Sequence, residues 1–221
     1  MALNKERLIE DLVSRGYLKT AVIIESFKNI DRKDFMASEY RDLAYIDEAM
    51  PIGFGQTISQ PLTVAFMMEL LEPKPGDKIL DLGSGSAWTT ALLAYIVGER
   101  GKVFGIEKIP ELVKFGRKNL AKYKFKNAEI LPAGKKLGLP KEAPSALNRV
   151  EGPALSRAEG FDRILVSAAA EELPQELINQ LKIGGRLVIP IRHSIWKIDK
   201  ISEKDIRKEE YYGFSFVPLV Q

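Results

Sequence analysis

The pattern of apolar and polar residues divides the chain into a helical beginning and a longer alternating region. Apolar side chains near one face predict a helix in residues 4–16, with Asn4 placed to cap its start and Gly16 to stop it. A second helix is predicted over residues 20–28. The mixed stretch from Asp31 to Tyr45 favours loops with short helices, so the pattern predicts an N-terminal helical layer.

From Lys78 onward, short apolar runs alternate with helical stretches. The runs KILDLG, KVFGIE, AEIL, FDRILVS and GGRLVIPI predict strands, with helices in WTTALLAYIVG, PELVKFGRKNLAKY and PQELINQLK. The segments WKIDKIS and EYYGFSFVPLV predict two further strands, an antiparallel pair at the sheet's end. Alternation of this kind is typical of a doubly wound sheet, whose strand carboxyl ends share one ligand-binding edge. The predicted fold is therefore α/β, with a mostly parallel seven-stranded sheet and an N-terminal helical layer.

The composition excludes several classes of chemistry. The 221 residues include no cysteine and one histidine, His193, so a disulfide framework, a Cys-based zinc site or a thiol mechanism is excluded. A catalytic triad is hard to build, we expect His193 to be structural or exposed, and no metal site is predicted. The net charge is +3 with acids and bases interspersed, which lacks the clustering that nucleic-acid binding needs.

The N-terminal segment and the lengths of the apolar runs indicate whether the protein is secreted or inserted in a membrane. The N-terminus lacks the apolar region of a signal peptide. No apolar run approaches the ~20 residues that span a membrane. We expect a single cytoplasmic domain over residues 1–221, with no membrane partner.

The stretch MPIGFGQTISQP, residues 50–61, has neither a helical stripe nor clean strand alternation. Ser59 is interpreted as the N-cap of the next helix, with Pro61 in its first turn. Glycines and small polar residues between prolines are unusual for a simple connector. We interpret the stretch as a binding wall or lid.

A glycine turn follows the first predicted strand, in ILDLGSGSAWTTA. Gly83 and Gly85 permit positive φ and close approach to a ligand. A dinucleotide fingerprint would need glycine at position 88, which is Trp88, so a pyrophosphate is disfavoured. The alternative is S-adenosylmethionine, whose ribose needs a carboxylate. Glu107, at the end of the second strand, can accept two hydrogen bonds from a ribose diol.

Together, GFGQTISQP, LDLGSGS, GIEKIPELV, SAAAEELPQELINQLKIGGRLVIPI and FVPL resemble the protein-L-isoaspartate (D-aspartate) O-methyltransferase family, from about Tyr45 to Leu219. The resemblance implies methyl transfer from S-adenosylmethionine to the α-carboxylate of L-isoaspartyl residues in damaged proteins, with S-adenosylhomocysteine as product. The ester then collapses to a succinimide, which opens a route back to aspartate. The implied partners are peptides or unfolded segments that contain L-isoaspartate, and we expect a monomer.

The resemblance also implies roles for particular residues. Ser59 would hold the substrate carboxylate, with Thr57 beside it. Glu107 would bind the ribose. The cofactor-binding residues would be Gln56, Asp81, Gly83, Ser84, Gly85, Ser86, Glu107, Lys108, Ala133 and Gly134.

Three positions depart from the family pattern. Leu62 stands where the family usually has histidine, Ala87 replaces a third glycine, and Ala133 replaces an aspartate that bonds the adenine amine. Losing that bond would cost about 1 kcal/mol of binding free energy. These departures predict weaker cofactor binding and keep open a degenerate, non-catalytic binding protein. A methyltransferase acting on RNA or a small molecule is the other alternative.

Two segments have further interpretations. Residues 1–58 are predicted to form the N-terminal helices and a segment that covers substrate and cofactor. Residues 144–160 contain two near-copies of ALxRxEG, interpreted as a duplicated insertion, most simply a surface excursion.

Overall fold

The computed structural model describes residues 4–139 and 160–219. The N-terminal layer contains α1 (Lys5–Ser14) and α2 (Ala21–Asn29), followed by 3-10 turns at Arg32–Phe35 and Ser38–Leu43. As predicted, the Asn4 side chain caps α1 by accepting a 2.9 Å hydrogen bond from the Arg7 amide. Gly16 follows the helix with φ of +74°, a conformation that suits glycine.

The chain then forms a short hairpin and a large sheet. The hairpin pairs β1 (Met50–Gly53) with β2 (Gln56–Ile58). The strands of the large sheet are β3 (Lys78–Leu82), β4 (Lys102–Glu107), β5 (Ala128–Pro132), β6 (Phe161–Val166), β7 (Leu181–Ile191), β8 (Ser194–Lys200) and β9 (Ile206–Tyr212). Their order is β5-β4-β3-β6-β7-β8-β9. Strands β3 to β7 are parallel, and β8 is antiparallel to both of its neighbours, β7 and β9. The predicted seven-stranded, mostly parallel sheet is confirmed.

Helices cover both faces of this sheet. They are α3 (Pro61–Leu71), α4 (Trp88–Val97), α5 (Pro110–Leu120), which a 3-10 turn at Ala121–Tyr123 extends, and α6 (Gln175–Gln180). Successive residues of β3 enter different hydrophobic clusters: Ile79 packs in one and Leu80 in the other. Burial on both faces explains why the central strands are continuous apolar runs. None of the helices within the described ranges is long and apolar enough to cross a membrane.

The last predicted strand is placed wrongly. Strand β9 covers Ile206–Tyr212, an earlier and more polar segment than EYYGFSFVPLV, and it pairs with β8 at the sheet's edge. Charged residues are common in exposed edge strands, so the apolar character of the tail did not indicate the position of this strand. That tail instead runs back to the carboxyl ends of the central strands. Its Val217 carbonyl accepts from the Ala169 amide, and the Leu219 amide donates to the Ala169 carbonyl.

The repeat at 144–160 lies outside the described residues, except for Gly160. The interpretation of that segment stays a prediction, as does the division of the chain at residue 58.

Candidate functional site

The segment MPIGFGQTISQP forms the β1–β2 hairpin, which the sequence pattern did not predict. Its turn contains Phe54 and Gly55, with φ of +57° and +70°. Ile52 of the hairpin lies close to the glycine turn that contains Gly85. A Cβ atom added to Gly85 would be 3.3 Å from Cδ1 of Ile52. The hairpin therefore packs directly against the turn that the sequence assigned to the cofactor.

Ser59 does not cap helix α3, contrary to the sequence-based expectation. The helix begins at Pro61 with Gln60 as its N-cap residue. The Asp47 carboxylate accepts a 2.8 Å hydrogen bond from the Leu62 amide and so takes the capping role from a distant loop. Within the described part of the chain, the Ser59 hydroxyl makes no hydrogen bond. It remains available to a ligand.

A buried arginine holds the backbone of Ser59. The Arg32 guanidinium donates to three carbonyls of loop 44–48 and to the Ser59 carbonyl, at 2.7–3.2 Å. It also lies 5.4 Å from the ring centroid of Trp88, the first residue of α4. Burial lowers the pKa of Arg32 to about 10, which leaves it charged at neutral pH. One side chain thus joins the N-terminal layer, the hairpin's exit and the start of α4.

The glycine turn between β3 and α4 has a conformation that favours glycine at three positions. Gly83, Gly85 and Ala87 have φ of +77°, +51° and +74°. Ala87 therefore carries a cost of roughly 1–2 kcal/mol that glycine would not. The Ser84 hydroxyl is buried and has no hydrogen-bond partner among the described residues. An orphaned donor beside such a turn suits a polar ligand.

Asp81 lies behind this turn and not in the cavity, which corrects its prediction as a cofactor contact. It is fully buried, and its Oδ2 accepts 2.8 and 2.6 Å hydrogen bonds from Thr89 and Thr90. Burial, opposed by those two bonds and reinforced by the nearby Glu107, raises the pKa of Asp81 to about 6. These bonds hold the side chain of Asp81 against the first turn of α4, where it supports the glycine turn.

Glu107 ends β4 with its carboxylate fixed by backbone amides. Oε2 accepts from the Gly85 amide at 2.9 Å, and Oε1 accepts from the Lys108 and Ile109 amides at 2.7 and 2.9 Å. A carboxylate has about four lone-pair sites, so one site on Oε2 remains for a hydroxyl.

These elements enclose a cavity of about 1060 Å³ at the carboxyl edge of the parallel strands. This is the edge at which doubly wound sheets bind ligands. The volume exceeds that of a usual small-molecule pocket, so cofactor and substrate can share it. The predicted site residues that line it are Gln56, Thr57, Ser59, Gly83, Ser84, Gly85, Ser86, Glu107, Lys108, Ala133 and Gly134.

The cavity also has a wall that sequence reasoning missed. Arg192, just beyond β7, lines it with φ of +55°, and so does the C-terminal stretch 217–219. The strand-end rule could have indicated Arg192, whereas the tail had been assigned to a strand. His193 is exposed and is not a lining residue, in agreement with its interpretation.

The residues present fit S-adenosylmethionine. Backbone amides and the orphaned Ser84 hydroxyl suit the methionine end of the cofactor, and the oriented Glu107 carboxylate suits a ribose hydroxyl. Trp88 lines the cavity where a dinucleotide site would need glycine. Fold and site together define an S-adenosylmethionine-dependent methyltransferase.

Comparison with known proteins identifies the family. A sequence model of "Protein-L-isoaspartate(D-aspartate) O-methyltransferase (PCMT)" matches residues 3–221. The protein-L-isoaspartate O-methyltransferase of Methanopyrus kandleri is 40% identical over 221 residues, covering 98% of this chain and 91% of that protein. Protein-L-isoaspartate O-methyltransferase 2 of Archaeoglobus fulgidus is also 40% identical, covering 98% and 92%.

A solved structure agrees. A Plasmodium falciparum protein described as a protein-L-isoaspartate O-methyltransferase, in complex with S-adenosyl-L-homocysteine, has a TM-score of 0.79. It is 27% identical, and the match covers 98% of each chain. The chain belongs to the protein-L-isoaspartate O-methyltransferase family, and its activity is S-adenosylmethionine-dependent repair methylation of isoaspartyl residues. The predictions of family, activity and cofactor are confirmed.

Proposed function

We propose that the hairpin side of the cavity binds the isoaspartyl carboxylate through Ser59, with Thr57 beside it, while the glycine turn and Glu107 bind the cofactor. The observation that carries this assignment is that a single cavity contains both sets of residues. The Ser59 hydroxyl is not used for helix capping, and its backbone is fixed by Arg32 at 3.1 Å. A positioned hydroxyl that has no other partner among residues 4–139 and 160–219 suits a carboxylate oxygen.

Methyl transfer to a carboxylate depends on the orientation of the two reactants more than on acid–base catalysis. A carboxylate with an ordinary pKa near ~4 is already ionised at neutral pH, so it can attack without a general base. S-adenosylmethionine, when bound, supplies a methyl group activated by a positively charged sulfur. The role of the protein is to align the carboxylate oxygen with that methyl group and to exclude water.

The α3 N-terminus contributes little to binding the substrate anion. Asp47 already accepts from the Leu62 amide, and its negative charge offsets the positive end of the helix. The Ser59 hydroxyl therefore has the larger share in holding the substrate carboxylate.

The adenine end lies against the loop after β5. Ala133 and Gly134 line the cavity, and the Ala133 amide donates to the Glu107 carbonyl at 2.8 Å. Ala133 has no side-chain acceptor for the adenine amine, so we expect reduced cofactor affinity with activity retained. Lys108 stands beside the ribose-binding carboxylate on the same wall.

The substrates are isoaspartyl peptides and unfolded segments, whose methyl esters close to succinimides without further help. The monomeric state and the cytoplasmic location remain predictions from the sequence.

Replacement of Ser59 tests the assignment. Ser59→Ala should lower kcat/KM for an isoaspartyl peptide by about tenfold or more, because a hydrogen bond to a charged group is lost. Calorimetry should give an unchanged affinity for S-adenosylhomocysteine. Ser59→Thr, which keeps a hydroxyl, should retain most of the activity. An unchanged kcat/KM in Ser59→Ala would exclude this role.

A further inference from the structure

Phe54 stands at the tip of the β1–β2 hairpin with 60% of its surface exposed. It and Gly55 both have positive φ, as the two central residues of a type I′ turn must. Such turns strongly favour Asn-Gly, and positive φ is unfavourable for a bulky aromatic residue. Phe54 therefore weakens the turn that it forms.

Packing among the described residues does not account for the exposed ring of Phe54. Phe54 belongs to neither hydrophobic cluster of the described chain. Tyr212, another exposed aromatic residue, has a hydroxyl that donates to Glu210 at 2.8 Å, whereas Phe54 has no polar atom with such a use. A bulky residue held at positive φ beside a binding cavity points to a role in function.

The position of Phe54 relates it to the substrate. Ile52 and Gln56, two residues away on either side, both line the cavity. Strand β2 leads from the turn directly to Thr57 and Ser59, so the tip lies within a few residues of the proposed carboxylate site. A polypeptide that places an isoaspartyl residue at Ser59 brings its flanking side chains near the hairpin tip.

We infer that Phe54 is a specificity-determining residue that packs against an apolar side chain flanking the isoaspartyl residue of the substrate. This inference rests on the proposed function, because it takes the isoaspartyl residue to lie at Ser59. The ring offers an apolar face, and contact with leucine would remove both surfaces from water. The enzyme should then prefer damaged segments that come from apolar stretches of a protein.

The test uses isoaspartyl peptides that carry Leu or Ser at one flank, varied on each side in turn. For the native protein, kcat/KM should be about tenfold higher with Leu than with Ser on one side. Phe54→Asn should reduce that preference to within about twofold, mainly through a higher KM for the Leu peptide. Its melting temperature should be equal or higher, because Asn-Gly is the preferred pair for this turn.

Two control variants sharpen the result. Phe54→Tyr keeps an aromatic face and should keep the preference. Tyr212→Ser removes an exposed aromatic residue that does not line the cavity and should also leave the preference intact. A native protein that does not distinguish Leu from Ser, or a preference that persists in Phe54→Asn, would overturn the inference.

Failure of this inference can be told apart from failure of the proposed function. Turnover of the Ser-flanked isoaspartyl peptide that falls about tenfold or more in Ser59→Ala supports the carboxylate site, whatever the result for Phe54. Equal turnover of Leu and Ser peptides alongside that loss would reject the role of Phe54 alone.

Discussion

The guanidinium of Arg32 donates a 3.1 Å hydrogen bond to the backbone carbonyl of Ser59. The same guanidinium binds loop 44–48 and lies over Trp88, so the substrate side of the cavity is tied to the start of α4. Ser59 is thereby fixed through its backbone while its hydroxyl stays available. This relationship makes Arg32 a positioning residue.

Arg32→Lys should affect substrate use more than cofactor binding. The ammonium of lysine lacks the planar fork of the guanidinium and cannot reach all four carbonyls. Buried carbonyls therefore lose their hydrogen bonds, and the free energy of unfolding falls by about 3 kcal/mol. At a temperature where the variant is folded, kcat/KM for an isoaspartyl peptide should fall about tenfold. The affinity for S-adenosylhomocysteine, measured by calorimetry, should change by a smaller factor than kcat/KM does.

Arg186→Lys is the matched control. Arg186 also donates to a backbone carbonyl, that of Leu70 at 2.9 Å, and pairs with Asp199 at 2.6 Å, but it does not line the cavity. This variant should lose stability and keep kcat/KM. Parallel kinetic losses in both arginine variants would mean that Arg32 acts only through general stability.

The capping of α3 can be tested by stability measurements, because Asp47 caps the helix where the sequence predicted Ser59. Asp47→Ala should lower the unfolding free energy by about 1 kcal/mol, since it removes the acceptor of the Leu62 amide. Ser59→Ala should leave it unchanged in the same urea titration. The reverse ranking would restore Ser59 as the cap.

The adenine wall can be tested by restoring a side-chain acceptor. Ala133→Asp should tighten S-adenosylhomocysteine binding about fivefold to tenfold, the value of one hydrogen bond. Ala133→Val, which adds bulk without an acceptor, should not. Calorimetry on the two variants checks this, and equal affinities would count against the placement of the adenine beside Ala133.

Asp81 makes a pH prediction. Its pKa in the folded protein is about 6, against an ordinary value of 3.8, so the folded state binds this proton more tightly than the unfolded state. The contribution of Asp81 to stability therefore falls as pH rises from about 4 to 6 and is constant above. A pKa shift of two units corresponds to a change of about 3 kcal/mol in the free energy of unfolding over that pH range.

Urea denaturation of Asp81→Asn and the native protein, from pH 4 to 7.5, measures this contribution. The variant should gain stability relative to the native protein across pH 4 to 6, with no further change above. A difference that is flat over the whole range would show that Asp81 titrates normally.

Local signals explain most of what the sequence predicted. Asn4 and Pro110 mark helix starts, and the strands around Ile79 are continuous apolar runs because both faces of the sheet are covered. The glycine turn and Glu107 follow from the strand–helix alternation. Each of these signals lies within a few residues of the feature that it marks.

The errors arose where distant residues decide the structure. Asp47 caps α3 from 15 residues before Leu62, and nothing near Ser59 indicates this. The hairpin turn has phenylalanine where Asn is favoured, so its sequence did not predict a turn. The tail is apolar because Phe214 and Phe216 pack against a hydrophobic cluster and residues 217–219 line the cavity, not because it forms a strand.

The most direct test of the account uses two peptides of the same sequence, one with L-isoaspartate and one with aspartate. With labelled S-adenosylmethionine, the protein should methylate the isoaspartyl peptide, and Ser59→Ala should slow that labelling by about tenfold or more. The aspartyl peptide should stay unlabelled. Equal labelling of both peptides, or none of either, would contradict the account.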